Sequence, residues 1–300
     1  MTMVTQQQVD FFRLFGYLPL TGFFDAAELA VIEKEYALGH AAASKVYSSA
    51  IGVRGQMSWS NMREETPYLS NALESDKLRS AAEALLSPEA VGVMSNGNVF
   101  SGNLTEWHAD TSVPDFHSLK FVAYLDPVDG QSGALRVLPG SHKDPWHDEL
   151  IAISLKEKLN TAGNPENEAA AARTRFNIQD VPAQICATRP GDVIAFDLRV
   201  WHASWNGFPN RRMCSFTYFD VPRNEAQEYA IRSVVQQLGR EAQFRELRRQ
   251  RDWIAAGAKP SSIPRRESQY SQQWLANAEG STTRGRWIER LRAWGMAPAA

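Results

Sequence analysis

Residues 91–221 most restrict what this chain can fold into. Short runs of apolar and β-branched residues recur there, each cut off by Gly, Pro, Asn or Asp. Segments 91–94, 98–100, 119–125, 134–138, 184–188, 192–197 and 214–220 read as strands. Strands this short, at this spacing, argue for an all-β sandwich or jelly roll. Residues 148–175 interrupt the pattern with Glu, Lys, Ala and Asn. That composition suits a helical or mobile insertion with a solvated face, or a lid where it overhangs a site.

The flanks read differently. Phe11, Phe12, Leu14 and Phe15 form an apolar cluster that ends at Gly16, and residues 17–20 read as a short strand. Asp25 is placed to cap a helix from Ala26 to about Gly39. Residues 45–75 are mixed, and 76–87 read as helix. Beyond Arg223 the chain is polar and helical, with Ala230, Ile231, Val234, Val235 and Leu238 at helical spacing. A loop over 260–273 and a final helix over 274–294 follow. The expected organisation is a core domain over 1–222 and a helical extension over 223–300. The extension could cap a pocket or build a homodimer interface, and both roles stay open.

Composition excludes several function classes. Apolar residues make up 43% of the 300, charged residues 22%, and the formal charge is -2. No strong field is available to recruit nucleic acid or an anionic membrane. No apolar run approaches a bilayer span, and the N-terminus has no basic segment leading into an apolar one. A cytoplasmic protein is expected. Cys186 and Cys214 lack the number for a disulfide framework and the spacing for a metal site. They read as buried free thiols.

Chemistry concentrates in Trp107-His108-Ala109-Asp110 and, far downstream, Trp201-His202-Ala203-Ser204. Residues i and i+2 of a strand share a face, so His108 and Asp110 can offer a nitrogen and an oxygen to one metal. His202 from another strand completes a triad. Two His and one carboxylate with open positions select non-haem Fe(II) for oxygen chemistry. H-x-D alone is a weak signal. A cupin-type metalloenzyme that does not use 2-oxoglutarate, a non-catalytic binding protein and a zinc hydrolase are the competing readings. His117 competes as a ligand from a loop. His142 reads as structural, and His40 and His147 as surface residues.

Further residues narrow the choice. Gly133-Ala134-Leu135-Arg136-Val137-Leu138-Pro139-Gly140-Ser141-His142 is a strand entering a tight turn. With H-x-D, the distal W-H-A-S and the opening Phe12 to Tyr17 element, the chain resembles the phytanoyl-CoA dioxygenase-like branch of Fe(II)/2-oxoglutarate-dependent oxygenases. The resemblance implies a double-stranded β-helix with helices outside it and a metal at one mouth. It implies Fe(II) ligation by His108, Asp110 and His202, with 2-oxoglutarate and O2 as cosubstrates. The cosubstrate's far carboxylate is expected on an Arg that follows the distal His. Arg211 and Arg212 are adjacent on a strand and point to opposite faces, so only one serves. The family's Arg-to-Phe spacing, counted back from Phe219, favours Arg212. Ser204, Asn96 and Asn98 are further candidates for contact with the cosubstrate. Trp59, Asn61, Arg63 and Trp205 are expected to line a substrate pocket, with core packing as the alternative for the tryptophans. The implied reaction is hydroxylation of an unactivated C–H of a small molecule, with release of succinate and CO2, in a biosynthetic pathway. Asp110 fills the place that halogenating relatives leave to a small residue, so halogenation is disfavoured.

Overall fold

The computed structural model describes residues 4–47, 56–102, 104–161, 178, 180–255, 257–262 and 268–299. Two antiparallel sheets face each other, flanked by helices. The larger sheet runs β1 (Tyr17–Leu20), β8 (Val193–Phe196), β5 (Ser118–Tyr124), β10 (Arg211–Phe219), β3 (Val91–Phe100), β2 (Gln56–Ser60). The smaller runs β4 (Thr105–His108), β9 (His202–Ser204), β6 (Leu135–Val137), β7 (Gln184–Cys186). This is the expected jelly-roll core.

Strand alternation divides the apolar residues into two cores. Phe100, Val122, Tyr124, Leu135, Val137, Ile194, Phe196 and Met213 pack between the sheets. On the other face of the larger sheet, Phe121, Ala123, Cys214, Phe216 and Tyr218 pack beneath the helices. Both cysteines are buried and free, as the sequence suggested.

The N-terminal helices form where the sequence signals them. α1 (Gln6–Phe15) opens on a capping box: Thr5 Oγ1 accepts from the Gln8 amide, and Gln8 Oε1 accepts from the Thr5 amide. It closes at Gly16, whose φ of 77° suits a residue without Cβ. α2 (Ala26–Tyr47) is capped by Asp25, whose Oδ1 accepts from the amides of Ala27 and Glu28. It runs past Gly39, where a Cβ would lie 2.5 Å from the Trp59 indole nitrogen. Gly39 is thus a contact point for β2 and not a terminator.

α3 (Pro67–Asn71) and α4 (Asp76–Leu85) follow, then α5 (Trp146–Thr161). The expected insertion is helical at its start, and residues 162–177 lie outside the described residues. α6 (Glu225–Ala255), α7 (Gln272–Ala276) and α8 (Thr282–Ala293) complete the chain. The single final helix read from the sequence is two, with Asn277 and Gly280 at positive φ between them. Ala230, Ile231, Val234, Tyr270, Trp274, Trp287 and Leu291 join the same core as α1–α4. Among the described residues no helix is long and apolar enough to cross a membrane.

Candidate metal centre and carboxylate pocket

β4 and β9 lie side by side at one end of the smaller sheet, and His108 pairs directly with His202. Their ring centroids are 4.2 Å apart. Asp110, two residues past His108, turns to the same point. One ligand atom from each of the three residues lies within 4.8 Å of the others. His108 Nδ1 is 2.8 Å from the Glu106 carbonyl and His202 Nδ1 is 2.9 Å from the Val200 carbonyl. A carbonyl only accepts, so each Nδ1 carries the proton and each Nε2 keeps its lone pair. That is the tautomer a metal needs.

Electrostatics favour the same protonation states. Burial holds His202 down to about 3, and the adjacent His108 adds to the effect. Burial alone would raise the Asp110 carboxyl, but Lys120, with His202 and His108, outweighs it and holds the group well below the usual range. Lys120 Nζ sits 2.5 Å from Asp110 Oδ2. The centre offers two imidazoles, each oriented by a backbone carbonyl, and one carboxylate.

A second feature lies deeper in the barrel. Ser204 follows His202 by two residues and shares its face. Arg211, at the start of β10, is 1% exposed, and its Nη2 is 3.4 Å from Ser204 Oγ. The guanidinium lies over the Phe100 ring, 4.7 Å from its centroid. Its Nε and Nη1 are buried with no hydrogen-bond partner. Burial lowers this guanidinium below its ordinary value, and Tyr124 opposes the shift. The cradle is built from glycine: a Cβ at Gly207 would lie 1.4 Å from Nη1, and one at Gly133 2.1 Å from it. A buried fork with idle donors is the arrangement that a carboxylate completes.

Arg212 corrects the expectation drawn from spacing. It points to the opposite face of β10, where Nε and Nη2 both bond Asp126 Oδ1, at 3.0 and 2.8 Å. Glu33 is a further partner at 3.4 Å. Pairing with β5 is unbroken from Met213 to Phe219, so alternation puts Arg211, Met213 and Ser215 on the inward face. A spacing carried over from relatives does not report which face a residue takes.

The structure places the other candidates as follows. Asn96 and Asn98 pair with Ser215 and Met213 and share Arg211's face. Asn98 accepts from Gln56 Nε2 at 2.6 Å. Trp59 pairs with Gly97 on the outward face and packs against Tyr36 and His40. Asn61 is fully buried, its backbone N–H 2.8 Å from the Ser95 carbonyl and its side-chain amide without a hydrogen-bond partner, and Arg63 lies beyond the end of β2 with Nε on the Ser60 carbonyl. Trp205 faces away from the barrel, with the Arg136 guanidinium over its ring. Neither tryptophan reaches the inward face. His147 is no surface residue: it is fully buried, with Nδ1 3.1 Å from the Ser141 carbonyl. His117 is exposed and lies outside the triad. The sequence reading missed Lys120, although a lone charge in Ser118–Tyr124 marked it.

A family model described as phytanoyl-CoA dioxygenase (PhyH) matches residues 12–211. The chain belongs to the phytanoyl-CoA dioxygenase family. It is an Fe(II)/2-oxoglutarate-dependent dioxygenase, with iron and 2-oxoglutarate as its cofactors. It is 23% identical over 248 residues to an ectoine dioxygenase of Sphingopyxis alaskensis, covering 75% of this chain and 78% of the relative. The fold is similar to the epimerase SnoN of nogalamycin biosynthesis, with a TM-score of 0.54, 18% identity, and 72% and 82% of the two chains covered. It is also similar to EctD from S. alaskensis, solved with 2-oxoglutarate and 5-hydroxyectoine. There the TM-score is 0.52, the identity 23%, and the coverage 73% and 77%.

Proposed function

We propose that this PhyH-family enzyme hydroxylates an unactivated C–H bond of a small organic substrate, with release of succinate and CO2. The observation that carries the reading is the pairing on one barrel wall of the His108–Asp110–His202 cluster with a buried, half-satisfied Arg211. His108, Asp110 and His202 would hold the iron. Arg211 and Ser204 would take the far carboxylate of 2-oxoglutarate. When bound, the iron and its cosubstrate supply the O2-derived oxidant.

The protein's own residues do the rest. The two backbone carbonyls fix the imidazole rings and their tautomers. Gly133 and Gly207 let the guanidinium lie flat and dry, and Phe100, Tyr124, Leu135 and Met213 keep water from it. A charge-assisted bond in such a place is stronger than in water. Asn96 and Asn98 supply polar groups on the same wall. Asp110 remains in place as a ligand, which supports oxygen transfer over halide transfer. A cupin that works without a keto acid leaves Arg211 with no task. We place the enzyme in the cytoplasm, acting in a biosynthetic pathway.

The test is anaerobic addition of Fe(II) and then 2-oxoglutarate to the metal-free protein. A visible charge-transfer band should appear, persist in Arg212→Ala and vanish in Arg211→Ala. Iron binding without any band would sink the 2-oxoglutarate assignment. Succinate release then screens substrates.

A further inference from the structure

Lys120 has no ligand duty, yet it reaches the metal centre. It is the one charged residue of β5. Its backbone is held between Thr217 of β10 and Phe196 of β8, so its side chain enters the barrel on the same wall as Val122 and Tyr124. Its ammonium lies 2.5 Å from Asp110 Oδ2 and 5.7 Å from the centre of the Phe196 ring. That ring lies 4.9 Å from the His202 imidazole. The lysine and carboxylate side chains are each 22% exposed. An ordinary surface pair joins two mobile chains and contributes little. Here both partners stand at fixed places on the barrel wall, and one of them belongs to the metal cluster.

Resting on the metal-centre reading above, we propose that Lys120 is a positioning residue that confines Asp110 to ligation through one oxygen. A carboxylate can bind a cation through one oxygen or through both. With Oδ2 held by the ammonium, Oδ1 is the oxygen left for the metal. Two imidazoles and one oxygen keep three of six positions open, as the facial triad requires. A carboxylate bound through both oxygens closes one of the three. A keto acid bound through two atoms would then leave no place for O2. Lysine suits the task because its ammonium is a compact charge that a strand can aim, whereas a carboxylate without that partner is free to turn. Phe196 steadies the ammonium from one side, and it also packs against His202. Lys120 therefore sets how many positions the metal keeps open, without touching the metal.

Mn(II) alone is the probe, because water-proton relaxation counts the waters on the bound ion and needs no turnover. Mn(II) is titrated into the metal-free full-length wild type, Lys120→Met and Lys120→Arg. Far-UV circular dichroism checks each fold, and Lys120→Ala repeats the test should the methionine variant not fold. The expected relaxation enhancement per bound Mn(II) falls by about a third in Lys120→Met, one open position of three. It returns in Lys120→Arg. An unchanged enhancement in Lys120→Met overturns the proposal and leaves the metal centre standing. Failure of the wild type to bind Mn(II) removes the metal-centre reading, and this one with it.

Discussion

The larger sheet is built from strands of up to ten residues, the smaller from strands of three or four, yet the smaller carries both histidines of the metal cluster and Ser204. The long strands bury apolar side chains on both faces, one against the helices and one against the barrel interior. They cannot lose a side chain cheaply. Of the short strands, β4 and β9 carry His108, His202 and Ser204, while β6 adds Leu135 and Val137 to the core between the sheets. The larger sheet thus supplies the helix-side core and the smaller one the two histidines, while Lys120, Asn96, Asn98 and Arg211 reach the barrel interior from the larger sheet.

The strongest way to break that comparison is one substitution in each sheet. His202→Ala should abolish succinate release and lower the urea midpoint of the apo-protein less than Phe216→Ala does. Phe216→Ala removes a fully buried ring from the helix-side core and should cost about 3–5 kcal/mol of stability. Turnover per folded molecule should survive. If Phe216→Ala abolishes turnover in folded protein, or His202→Ala unfolds the chain, the division is wrong.

The arginine pair sharpens it next. Arg211→Ala should weaken 2-oxoglutarate binding by roughly 100-fold, the loss of a buried charge-assisted contact. Arg212→Ala removes a partly exposed pair with Asp126. It should cost at most about 1 kcal/mol of stability and leave the 2-oxoglutarate titration unchanged. Gly207→Ala puts a methyl group on the Arg211 guanidinium, so it should copy Arg211→Ala on a smaller scale, roughly tenfold by the cost of overpacking. A fully retained affinity would show that the cradle has slack.

Acid sensitivity gives the smallest effect. Burial holds His142 down to about 4, with neighbouring cations adding to it, and His202 down to about 3. An unfolded His titrates near about 6.5. Between those values the unfolded apo-protein binds more protons, so stability falls as pH drops from about 6.5 towards 4. Asp197 works the other way. Burial raises it to about 7, against the Arg199 amide, so it destabilises as pH rises over the same interval. Urea midpoints of the apo-protein between pH 7.5 and 4.5 should decline towards acid. Asp197→Asn removes the opposing group and should make that decline steeper, and a shallower one would contradict the assignment.

Much of this was legible in the sequence. Apolar runs between turn residues marked the core strands, and the H-x-D and W-H-A-S segments marked the triad. One cause of what stayed hidden is polar residues inside strands, such as Asn96 and Asn98, which imitate loops. Segment 95–97, Ser-Asn-Gly, split β3 into two expected strands, although its polar residues sit within one continuous strand. β2 is an edge strand whose Ser58 and Ser60 pair with Asn98 and Asn96, and it read as mixed. Trp59 and Trp205 face away from the barrel interior, and an aromatic side chain in a sequence does not by itself report its face. For Arg211 and Arg212 strand parity tells the inward side chain from the outward one, which a spacing borrowed from relatives does not.

The two-residue step from His202 to Ser204 has a consequence for cosubstrate choice. At about 3.3 Å per residue it sets roughly 6–7 Å between the backbone positions of His202 and Ser204, and Ser204 is the residue that the guanidinium reaches. Both ends are fixed to backbone, and the guanidinium is buried in its cradle against Gly133, Gly207 and Phe100. The barrel wall is therefore a ruler. On the reading proposed above, a keto acid one or two carbons short, gripped at the metal, would leave the Arg211 donors as idle as they are without it.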